Sequence, residues 1–512
     1  MGLSIPITGI GADFRLPGSY AEIIFNQGAA SAFAPGREVC FVMPKSSAGT
    51  WTVNTRYKVT NEAVASAGAG PGSPLHRGLR KFLRHNKDAT VWAVPYAASS
   101  GGGGLVAATA TLALSGSLTS GGTLTLRVAG EEIPVGFTAS HTMTNIGDNV
   151  VAAVNAKTHL PVTAANVTGT VTFTAKISGA SQGTATIFAI NVHADTEPLG
   201  TGLVTTLSGQ LGSGAAGVDG TTTEATNFQT ALAVLDAVRK YYIVTSLTDA
   251  TSLGHLKTHI VNKSLPKVGL RSVGIAANRQ AGSAAATIAT GRNYERLAIA
   301  WMENSEHDPC ELAAVAAAII QKEEAVHPAP NFDFYPLNDI VLPHYADADI
   351  PTADEQNDAI NDGLMPFTTT GVSTYVVMAT TTRSKDATGA LDDPRSLERH
   401  RVSVADDFMD EELVEVGLNF RGKRLADDER LADGKINPNQ VERPNLLRPS
   451  SFRPHIVKRM NEKDGITLQN VQASKDSLLV IKTGGRLEVG FDLNAIDLHH
   501  QTSFRVAEVS AG

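Results

Sequence analysis

The sequence predicts an α/β core, with a mainly parallel sheet and flanking helices, that is interrupted by an inserted β-sandwich-like domain and carries extended strand-like N- and C-terminal arms. Three observations support this prediction. Strand-like and helix-like segments alternate on both sides of a Gly- and Ser-rich stretch at 99–104. The residues that follow this stretch are rich in Thr and poor in charge, and short alternating segments occupy both ends of the 512-residue chain.

The N-terminal arm is a short segment in which large apolar residues alternate around a bend at Pro17-Gly18. A hairpin this short is marginal in water. We therefore expect it either to fold back onto its own domain or to add a strand to a sheet of a neighbouring subunit. A second alternating segment lies near the C-terminus. The predicted inter-subunit arm residues are Phe14, Leu16, Tyr20, Ile23, Phe25, Phe504 and Val506.

The first part of the core follows the N-terminal arm. An apolar strand is predicted at 38–43, a helix opens at Ser73-Pro74, and a second strand follows at 90–94. After the insert, a capping box is predicted at Thr221-x-x-Glu224. Alternation then returns, with strands predicted at 241–245, 272–276 and 297–301, and a helix start at Asp308-Pro309-Cys310-Glu311.

The insert contains two strictly alternating segments, at 123–128 and 171–177, each flanked by glycines. A short helix is predicted between them at 149–156. A second Gly- and Ser-rich stretch at 208–220 closes the insert. This pattern predicts a β-sandwich-like module with one helix packed on it.

The last third of the chain is more charged, with an acidic run at 406–415 and a basic run at 421–424 that read as solvated faces. A hairpin is predicted across Thr483-Gly484-Gly485. The predicted division of the chain is an arm at 1–25, core at 26–99, an insert at 100–220, core at 221–370, a C-terminal core domain at 371–490 and an arm at 491–512; that the insert faces outward is implied only by the family resemblance given below.

Composition excludes several classes of protein. The net charge of −8 and the lack of a basic tract argue against nucleic acid as the main partner. The two cysteines, Cys40 and Cys310, form no close pair, which fits a reducing compartment. A secretory leader and a run of about 18 apolar residues are not found, so neither secretion nor membrane insertion is expected.

Two short motifs suggest ligand chemistry, but a structural interpretation is favoured for each. The run 101–104 lacks the Gly-Lys-Ser/Thr ending of a phosphate loop and leads into β structure, which favours a flexible linker. His255 and His259 have the spacing of a two-histidine metal site but no evident third ligand, which favours solvated or packing histidines.

Other candidate sites are also incomplete. Asp347, Asp349, Asp354 and Glu355 lack the glycine and oxygen spacing of an EF-hand, so an acidic loop is favoured. The Gly179-Ala180-Ser181-Gln182-Gly183 match joins two strands, whereas a nucleophile elbow joins strand to helix. His85, His499 and His500 have no partnered nucleophile. The sequence therefore predicts no enzyme, no cofactor and no metal site.

The segment 13–43 carries a resemblance to a known family. It contains Phe14-Arg15-Leu16-Pro17, Tyr20-Ala21-Glu22, a small-residue loop at 28–35 and the strand Glu38-Val39-Cys40-Phe41-Val42-Met43. These residues resemble the start of contractile bacteriophage tail sheath proteins of the Mu-like group, with Phe14 in a place that is usually aliphatic. Over the rest of the chain the resemblance is one of layout.

This resemblance implies a structural virion protein that stacks as hexameric rings around a tail tube and contracts to drive the tube through the host envelope for genome ejection. The implied partners are neighbouring sheath subunits, the tail tube protein, and the baseplate and tail terminator proteins, with no direct nucleic acid contact and no membrane insertion. The implied location is the virion tail, assembled in the host cytoplasm. The charged segment 406–424 is the expected tube-facing surface, with an ordinary exposed helix as the alternative.

Two other classes of function stay open at this point. An enzyme with an α/β nucleotide- or metal-dependent core would have thermal stability that depends on phosphate or metal. A β-rich capsid or fibre component of a virion would form closed shells or discrete trimers rather than open tubes.

Overall fold

The computed structural model describes residues 37–102, 104–179, 190–192, 202–208, 217–337, 340, 351–369, 373–386, 388–389, 392–393 and 396–498. They fall into two compact units. The sheet unit comprises the described residues within 37–326 and 334–399, and the C-terminal unit comprises those within 327–333 and 400–498. The junction follows Arg399, later in the chain than the predicted boundary at residue 370. The predicted N-terminal arm and residues 499–512 of the predicted C-terminal arm lie outside the described residues, whereas residues 491–498 are part of the C-terminal unit.

The sheet unit begins with a small α/β segment, in agreement with the predicted pattern. The side chain of Ser73 accepts a hydrogen bond from the backbone N–H of His76 and Pro74 occupies the first turn, so this helix starts where the sequence predicts. The elements are β1 (Val39–Lys45), β2 (Tyr57–Val59), α1 (Glu62–Ala69), α2 (Pro74–His85) and β3 (Val91–Ala97).

The insert forms two small sheets and one helix that share a single hydrophobic cluster. Leu112, Leu126 and Phe173 from the two sheets and Val150 from the helix lie at its centre. The sandwich character predicted for this insert stays a prediction. Its elements are β4 (Ala107–Gly116), β5 (Gly122–Val128), β6 (Glu131–Phe137), α3 (Met143–Ala156), β7 (Val162–Val167), β8 (Thr170–Ser178), β9 (Ile190–Val192) and β10 (Leu203–Ser208).

The sheet unit continues after the insert with alternating helices and strands. The capping box predicted at Thr221 is wrong: Thr223 caps the helix by accepting from the N–H of Thr226. The elements are α4 (Glu224–Leu232), a 3₁₀ turn (Ala233–Leu235), β11 (Tyr242–Val244), α5 (Ala250–Ser264), β12 (Val273–Asn278), α6 (Gly282–Arg292), β13 (Leu297–Trp301), α7 (Pro309–Val326), β14 (Tyr335–Leu337), α8 (Ala353–Asn361), β15 (Met365–Thr369) and β16 (Thr374–Val376).

These strands form one nine-stranded sheet in the order β14-β16-β15-β13-β12-β11-β1-β3-β2. The six adjacent strands β15, β13, β12, β11, β1 and β3 are parallel. At one end of the sheet β2 pairs antiparallel with β3, and at the other end β16 pairs antiparallel with both β15 and β14. Helices α4, α5, α6 and α8 share a cluster with one face of the sheet. Helix α2 packs against β1 from the other face, where the rings of Phe41 and Phe82 are 5.4 Å apart. The mixed sheet with flanking helices confirms the predicted α/β core.

The C-terminal unit is built from helices around its own hydrophobic cluster, which includes Val404, Phe408, Phe452 and Met460. A hairpin lies where the sequence predicts one. The elements are α9 (Arg399–Asn419), which starts at the junction, β17 (Arg424–Leu425), β18 (Leu446–Leu447), α10 (Pro449–Lys463), α11 (Val471–Ser477), β19 (Leu479–Thr483) and β20 (Arg486–Gly490).

Candidate functional site

The predicted inter-subunit residues fall outside the part of the chain that the structure describes, so they stay predictions. The structure instead describes the point where the N-terminal segment enters the sheet. Arg37 is the first described residue, and β1 starts two positions later. Strand β1 lies inside the sheet, between β11 and β3. The N-terminal segment is thus continuous with an interior strand rather than with an edge strand.

Arg37 is held by a buried carboxylate. Its Nη1 donates to Glu324 Oε2 at 2.7 Å, and the same oxygen accepts from Arg399 Nη2 at 3.1 Å and from the Tyr242 hydroxyl at 2.5 Å. We call these four residues the Glu324 clamp. The clamp joins α7, β11 and the residues at positions 37 and 399, all within the sheet unit.

The electrostatics of the clamp are those of a buried ion pair. Burial disfavours the charged form of Arg399, but the Glu324 carboxylate together with Tyr241 and Tyr242 outweighs burial and holds the pKa of Arg399 above its ordinary value. Burial and the same carboxylate raise the pKa of Tyr242 well above its ordinary value, so this hydroxyl stays neutral. The Glu324 carboxylate therefore accepts hydrogen bonds from two guanidinium groups and one hydroxyl.

A second group of charges lies at the start of α7. Arg77 from α2 pairs with Asp308 and with Glu311, the latter at 2.8 Å between Nη2 and Oε2. Arg279, just after β12, donates to Asp308 at 2.7 Å, and His307 Nδ1 lies 3.2 Å from Glu311 Oε2. We call these five residues the α7 N-terminal cluster. It ties α2 and the end of β12 to one helix start.

This cluster contains a histidine next to a carboxylate, but its charge states do not suit proton transfer. Burial favours the neutral form of Glu311, but Arg77, His307 and Lys81 together outweigh burial and hold the pKa of Glu311 below its ordinary value. Burial lowers the pKa of His307 and lowers the pKa of Arg279 to about 9. An ionised Glu311 fixed by Arg77 is a structural ion pair, and a helix start held in this way is rigid.

The insert is held to the core by contacts within the sheet unit. Arg127 Nη1 of β5 donates to Glu306 Oε1 at 3.1 Å, close to the α7 N-terminal cluster. Gly130 has φ +75°, and a Cβ atom there would lie 2.5 Å from the ring of His307. Only glycine allows this approach. The turn between β5 and β6 therefore rests directly on the core.

The two chain segments that lead into and out of the insert are paired with each other. Backbone hydrogen bonds join Ser100 to Thr222 in both directions, at 3.1 and 3.0 Å, and Val106 to Val218 likewise, at 3.1 and 3.0 Å. A Cβ atom at Gly220 would lie 2.2 Å from the carbonyl oxygen of Gly101. We call this feature the paired crossing. Gly101 is fixed by this pairing, since its carbonyl accepts from the N–H of Thr221 at 2.9 Å, while the flexible linker predicted for the rest of 101–104 stays a prediction.

Several candidate residues from the sequence have structural roles. The His259 side chain lies 3.6 Å from Asp236, and burial lowers its pKa to about 4, so it stays neutral. Glu355 accepts from the N–H of Thr352 and completes a capping box at the start of α8. His85 contacts the carbonyl of Lys81. Ser181, Asp347, Asp349, His499 and His500 lie outside the described residues.

The remaining candidate groups are the two thiols, the possible metal ligands and one groove. Burial raises the pKa of Cys40 and of Cys310 to about 12, so neither thiol ionises near neutrality. Among the described residues, no group of three His, Cys, Asp or Glu side chains could hold a metal ion.

An open groove of about 370 Å³ lies in the C-terminal unit. Its lining residues are Phe420, Lys423, Glu442, Arg443, Pro444, Leu446, Leu447 and Ser451.

The surface predicted to face a tail tube is not a solvated face at its N-terminal end. Asp406, Asp407 and Asp410 of α9 are buried. The exposed positions of this helix are partly apolar, with Val414 50% and Leu418 76% exposed. Residues 402–408 of α9 are all buried, so this part of the helix is covered on every side, which a charge count cannot show.

A cluster between α9 and α10 pairs further charges of this segment. Arg459 contacts Glu411, Glu412 and Glu462, and His455 Nε2 lies 3.1 Å from Glu412 Oε2. Burial raises the pKa of Glu412 to about 7, and Glu415 and Glu462 act in the same direction. Arg459 is shared among three carboxylates, and the Lys463 Nζ atom lies 3.3 Å from Glu411 Oε2.

Comparison with known proteins identifies a relative. Over 393 residues the chain is 23% identical to the Mu-like prophage FluMu tail sheath protein of Haemophilus influenzae, covering 76% of this chain and 77% of that protein. The chain resembles a Mu-like tail sheath protein. This similarity confirms the resemblance predicted from residues 13–43. No protein-family model matches the chain.

Two solved structures of tail sheath proteins are also similar. The sheath tail protein of Desulfitobacterium hafniense matches with a TM-score of 0.44 and 13% identity, covering 96% of this chain and 100% of the other. The sheath tail protein Lin1278 of Listeria innocua matches with a TM-score of 0.45 and 12% identity, covering 91% of this chain and 93% of the other.

Among the described residues, no helix has the length and apolar character that crossing a membrane requires.

Proposed function

We propose that this chain is the structural subunit of a contractile phage tail sheath. The observation that carries the proposal is the similarity to a Mu-like prophage tail sheath protein over three quarters of the chain. In this role the subunits stack as hexameric rings around a tail tube. A switch of the polymer to a shorter packing then drives the tube through the host envelope, so that the genome can be ejected.

The proposed role needs no reaction centre. A head-to-tail interface that does not close on itself generates a helical polymer. Contraction is then a change between two packings of the same subunits, and the work comes from the difference in their free energies. The proposed partners are other sheath subunits, the tail tube protein, and the baseplate and tail terminator proteins, in the virion tail after assembly in the host cytoplasm.

In this proposal the N-terminal arm must be firmly attached to the core. Strand addition joins subunits by backbone hydrogen bonds, so a pull on the arm must reach the core without unfolding it. Arg37 is fixed to Glu324, and β1 is hydrogen-bonded to a parallel strand on each side. A pull along β1 therefore loads many hydrogen bonds at once.

The insert is proposed to project outward from the polymer. Its low charge and its paired crossing support this view, because a domain that leaves and rejoins the core at one point can stand away from the surface that binds neighbouring subunits. Because Asp406, Asp407 and Asp410 are buried, they are not available to contact a tube. The proposed tube-facing surface at 406–424 is therefore limited to its exposed part, which begins at Val414.

Negative-stain electron microscopy tests the proposal. The full-length chain is expected to form hollow tubes, and a chain lacking residues 1–25 is expected to form none, because it has lost the arm. A chain lacking residues 1–8 is the control, since it keeps Phe14 to Phe25 and should form tubes. Small particles alone from the full-length chain, over a range of salt and protein concentrations, would refute the polymer.

A further inference from the structure

The Glu324 clamp lies where the chain passes into and out of the sheet unit. These passages are near residues 37, 326, 334 and 399. Glu323 and Glu324 lie in the last turn of α7, which ends at residue 326. Glu324 binds Arg37 and Arg399, and Glu323 accepts a hydrogen bond from the Tyr335 hydroxyl at 2.8 Å. Side-chain bonds to two adjacent carboxylates therefore connect all four passages.

The hydrogen bonds of the clamp are distributed unevenly over the carboxylate. Arg37, Arg399 and Tyr242 all donate to Glu324 Oε2. In the part of the chain that the structure describes, Glu324 Oε1 accepts no hydrogen bond, and Arg399 Nε and Nη1 donate none, although all three atoms are buried. The planar guanidinium of an arginine can bond both oxygens of one carboxylate, and such a bidentate pair is stronger than a single bond. Glu324 and Arg399 therefore have the capacity for a second bond to each other.

Arg37 differs from Arg399 in what depends on it. The hydrogen-bond ladder of β1 begins one residue later, where the Glu38 carbonyl accepts from the N–H of Tyr242 at 3.2 Å. The Arg37 guanidinium also lies over the Tyr241 ring, 4.4 Å from its centroid. Strand β1 thus attaches the N-terminal segment to the sheet, whereas the Arg37 side chain fixes the direction in which that segment enters it.

We propose that the Glu324 clamp is an exchangeable latch, in which Arg399 takes over the second oxygen of Glu324 when the Arg37 side chain leaves. Removing one partner of a buried ion pair is normally costly, because the other charge stays buried without compensation. Here the carboxylate stays paired with a guanidinium throughout. Release of Arg37 therefore leaves both β1 and the end of α7 in place, and changes only the residue that directs the N-terminal segment.

The use of this latch in a sheath rests on the proposed function. An arm that joins two subunits has to leave its core in different directions when the subunits change from one packing to the other. An exchangeable latch permits that change without unfolding of β1 and without loss of a buried ion pair. The exchange of partners at Glu324 is a property of the single subunit, so it can be tested without a polymer.

Hydrogen exchange read by mass spectrometry over residues 317–326, at the end of α7, tests the latch in the full-length chain. Arg37→Gln is expected to leave the exchange rate within about threefold of the wild type, because Arg399 takes over. In an Arg399→Lys background the same substitution should raise the rate at least about tenfold, because an ammonium group cannot form the bidentate pair. The matched control is a Glu323→Gln background, in which Arg37→Gln should again stay within about threefold.

A crystal structure of Arg37→Gln checks the exchanged pair directly. Arg399 Nε or Nη1 is expected within about 3.2 Å of Glu324 Oε1, while Nη2 stays on Oε2. An unchanged Arg399 with one bond to Glu324 would overturn the proposal. If Arg399→Lys does not fold, this structure and the hydrogen exchange of Arg37→Gln alone still decide.

The other outcomes also separate the latch from the proposed function. A rise of about tenfold for Arg37→Gln in the wild-type background, or equal effects in both backgrounds, would show that Arg399 does not take over. Failure of Arg37→Gln to fold would overturn the latch too, since release would then destroy the core. Failure of the wild type to form tubes would refute the sheath function and leave the exchange of partners standing.

Discussion

The sheet unit and the C-terminal unit handle charge in different ways. In the sheet unit, the carboxylates of Glu311 and Glu324 are buried and each is matched by arginines. In the C-terminal unit, three carboxylates between α9 and α10 share Arg459, Lys463 pairs with one of them, and Glu412 keeps a raised pKa of about 7. Matched burial fixes one arrangement strongly, whereas a cluster whose carboxylate titrates near neutrality responds to pH. The two units should therefore answer differently to substitution and to pH.

The largest expected effect is the loss of the Glu324 carboxylate. Glu324→Gln removes the carboxylate that pairs with the buried guanidinium groups of Arg37 and Arg399. This should lower the free energy of unfolding of the sheet unit by about 3–5 kcal/mol. Urea unfolding followed by tryptophan fluorescence measures it, because Trp51, Trp92 and Trp301 all lie in this unit.

The neighbouring residue provides the control for this substitution. Glu323 is only half-buried and accepts a hydrogen bond from the Tyr335 hydroxyl at 2.8 Å. Glu323→Gln keeps an accepting oxygen and should cost less than about 1 kcal/mol. Equal losses for the two variants would show that the clamp is not a matched buried pair.

Acid should weaken the sheet unit next most strongly. Burial lowers the pKa of His76 and of His259 from 6.5 to about 4. The unfolded chain binds protons on these residues below pH 6.5 and the folded chain does not, so stability falls between pH 6.5 and 4. At pH 5 each histidine should cost about 2 kcal/mol relative to pH 7.5. Denaturation at the two pH values tests this, and His259→Gln should remove about half of the loss.

Loss of the shared arginine should weaken the C-terminal unit by less. Arg459→Gln leaves Glu411, Glu412 and Glu462 facing one another and should cost about 1.5–3 kcal/mol. Lys458→Gln, one position earlier, removes a side chain that is 75% exposed and should cost under about 0.5 kcal/mol. Hydrogen exchange read by mass spectrometry over α9 and α10 measures both. A Lys458 effect as large as that of Arg459 would contradict the cluster.

The smallest expected effect is the pH response of Glu412. Its sign is opposite to that of the histidines, because acid should stabilise the C-terminal unit through this residue. The folded pKa of Glu412, about 7, lies above its ordinary value of 4.5. Its stabilising contribution is therefore complete below pH 4.5 and is lost as pH rises through 7. Relative to Glu412→Gln, the wild-type unit should gain about 1–2 kcal/mol between pH 7.5 and 5. His455, which faces Glu412, opposes this gain with its lowered pKa, so the comparison of the two proteins is the decisive measurement.

Local patterns predicted much of this fold, while features made by distant residues escaped prediction. Strand β13 and the start of α7 lie where apolar runs and helix-start residues place them. The capping box at Thr221 failed because the N–H of Thr221 bonds the carbonyl of Gly101 instead. The acidic run at 406–415 looked solvated because composition does not show that residues 402–408 of α9 are buried on every side.

The Glu324 clamp gave no signal in the sequence. Arg37, Glu324 and Arg399 are far apart along the chain, and a lone charged residue is usually exposed. For the α7 N-terminal cluster a partial signal existed, since Asp308 and Glu311 mark a helix start. Their arginine partners come from α2 and from the end of β12, and only the tertiary fold joins them.

The paired crossing has a consequence for how such chains diversify. Because the insert leaves and rejoins the core at neighbouring residues, Ser100 and Thr222, it can be exchanged for another module without changing the path of the core. A gene that gains, loses or exchanges this segment still encodes the same core on both sides of it. The same point is where an engineer would graft a foreign domain, with the short antiparallel pairing retained as its stem.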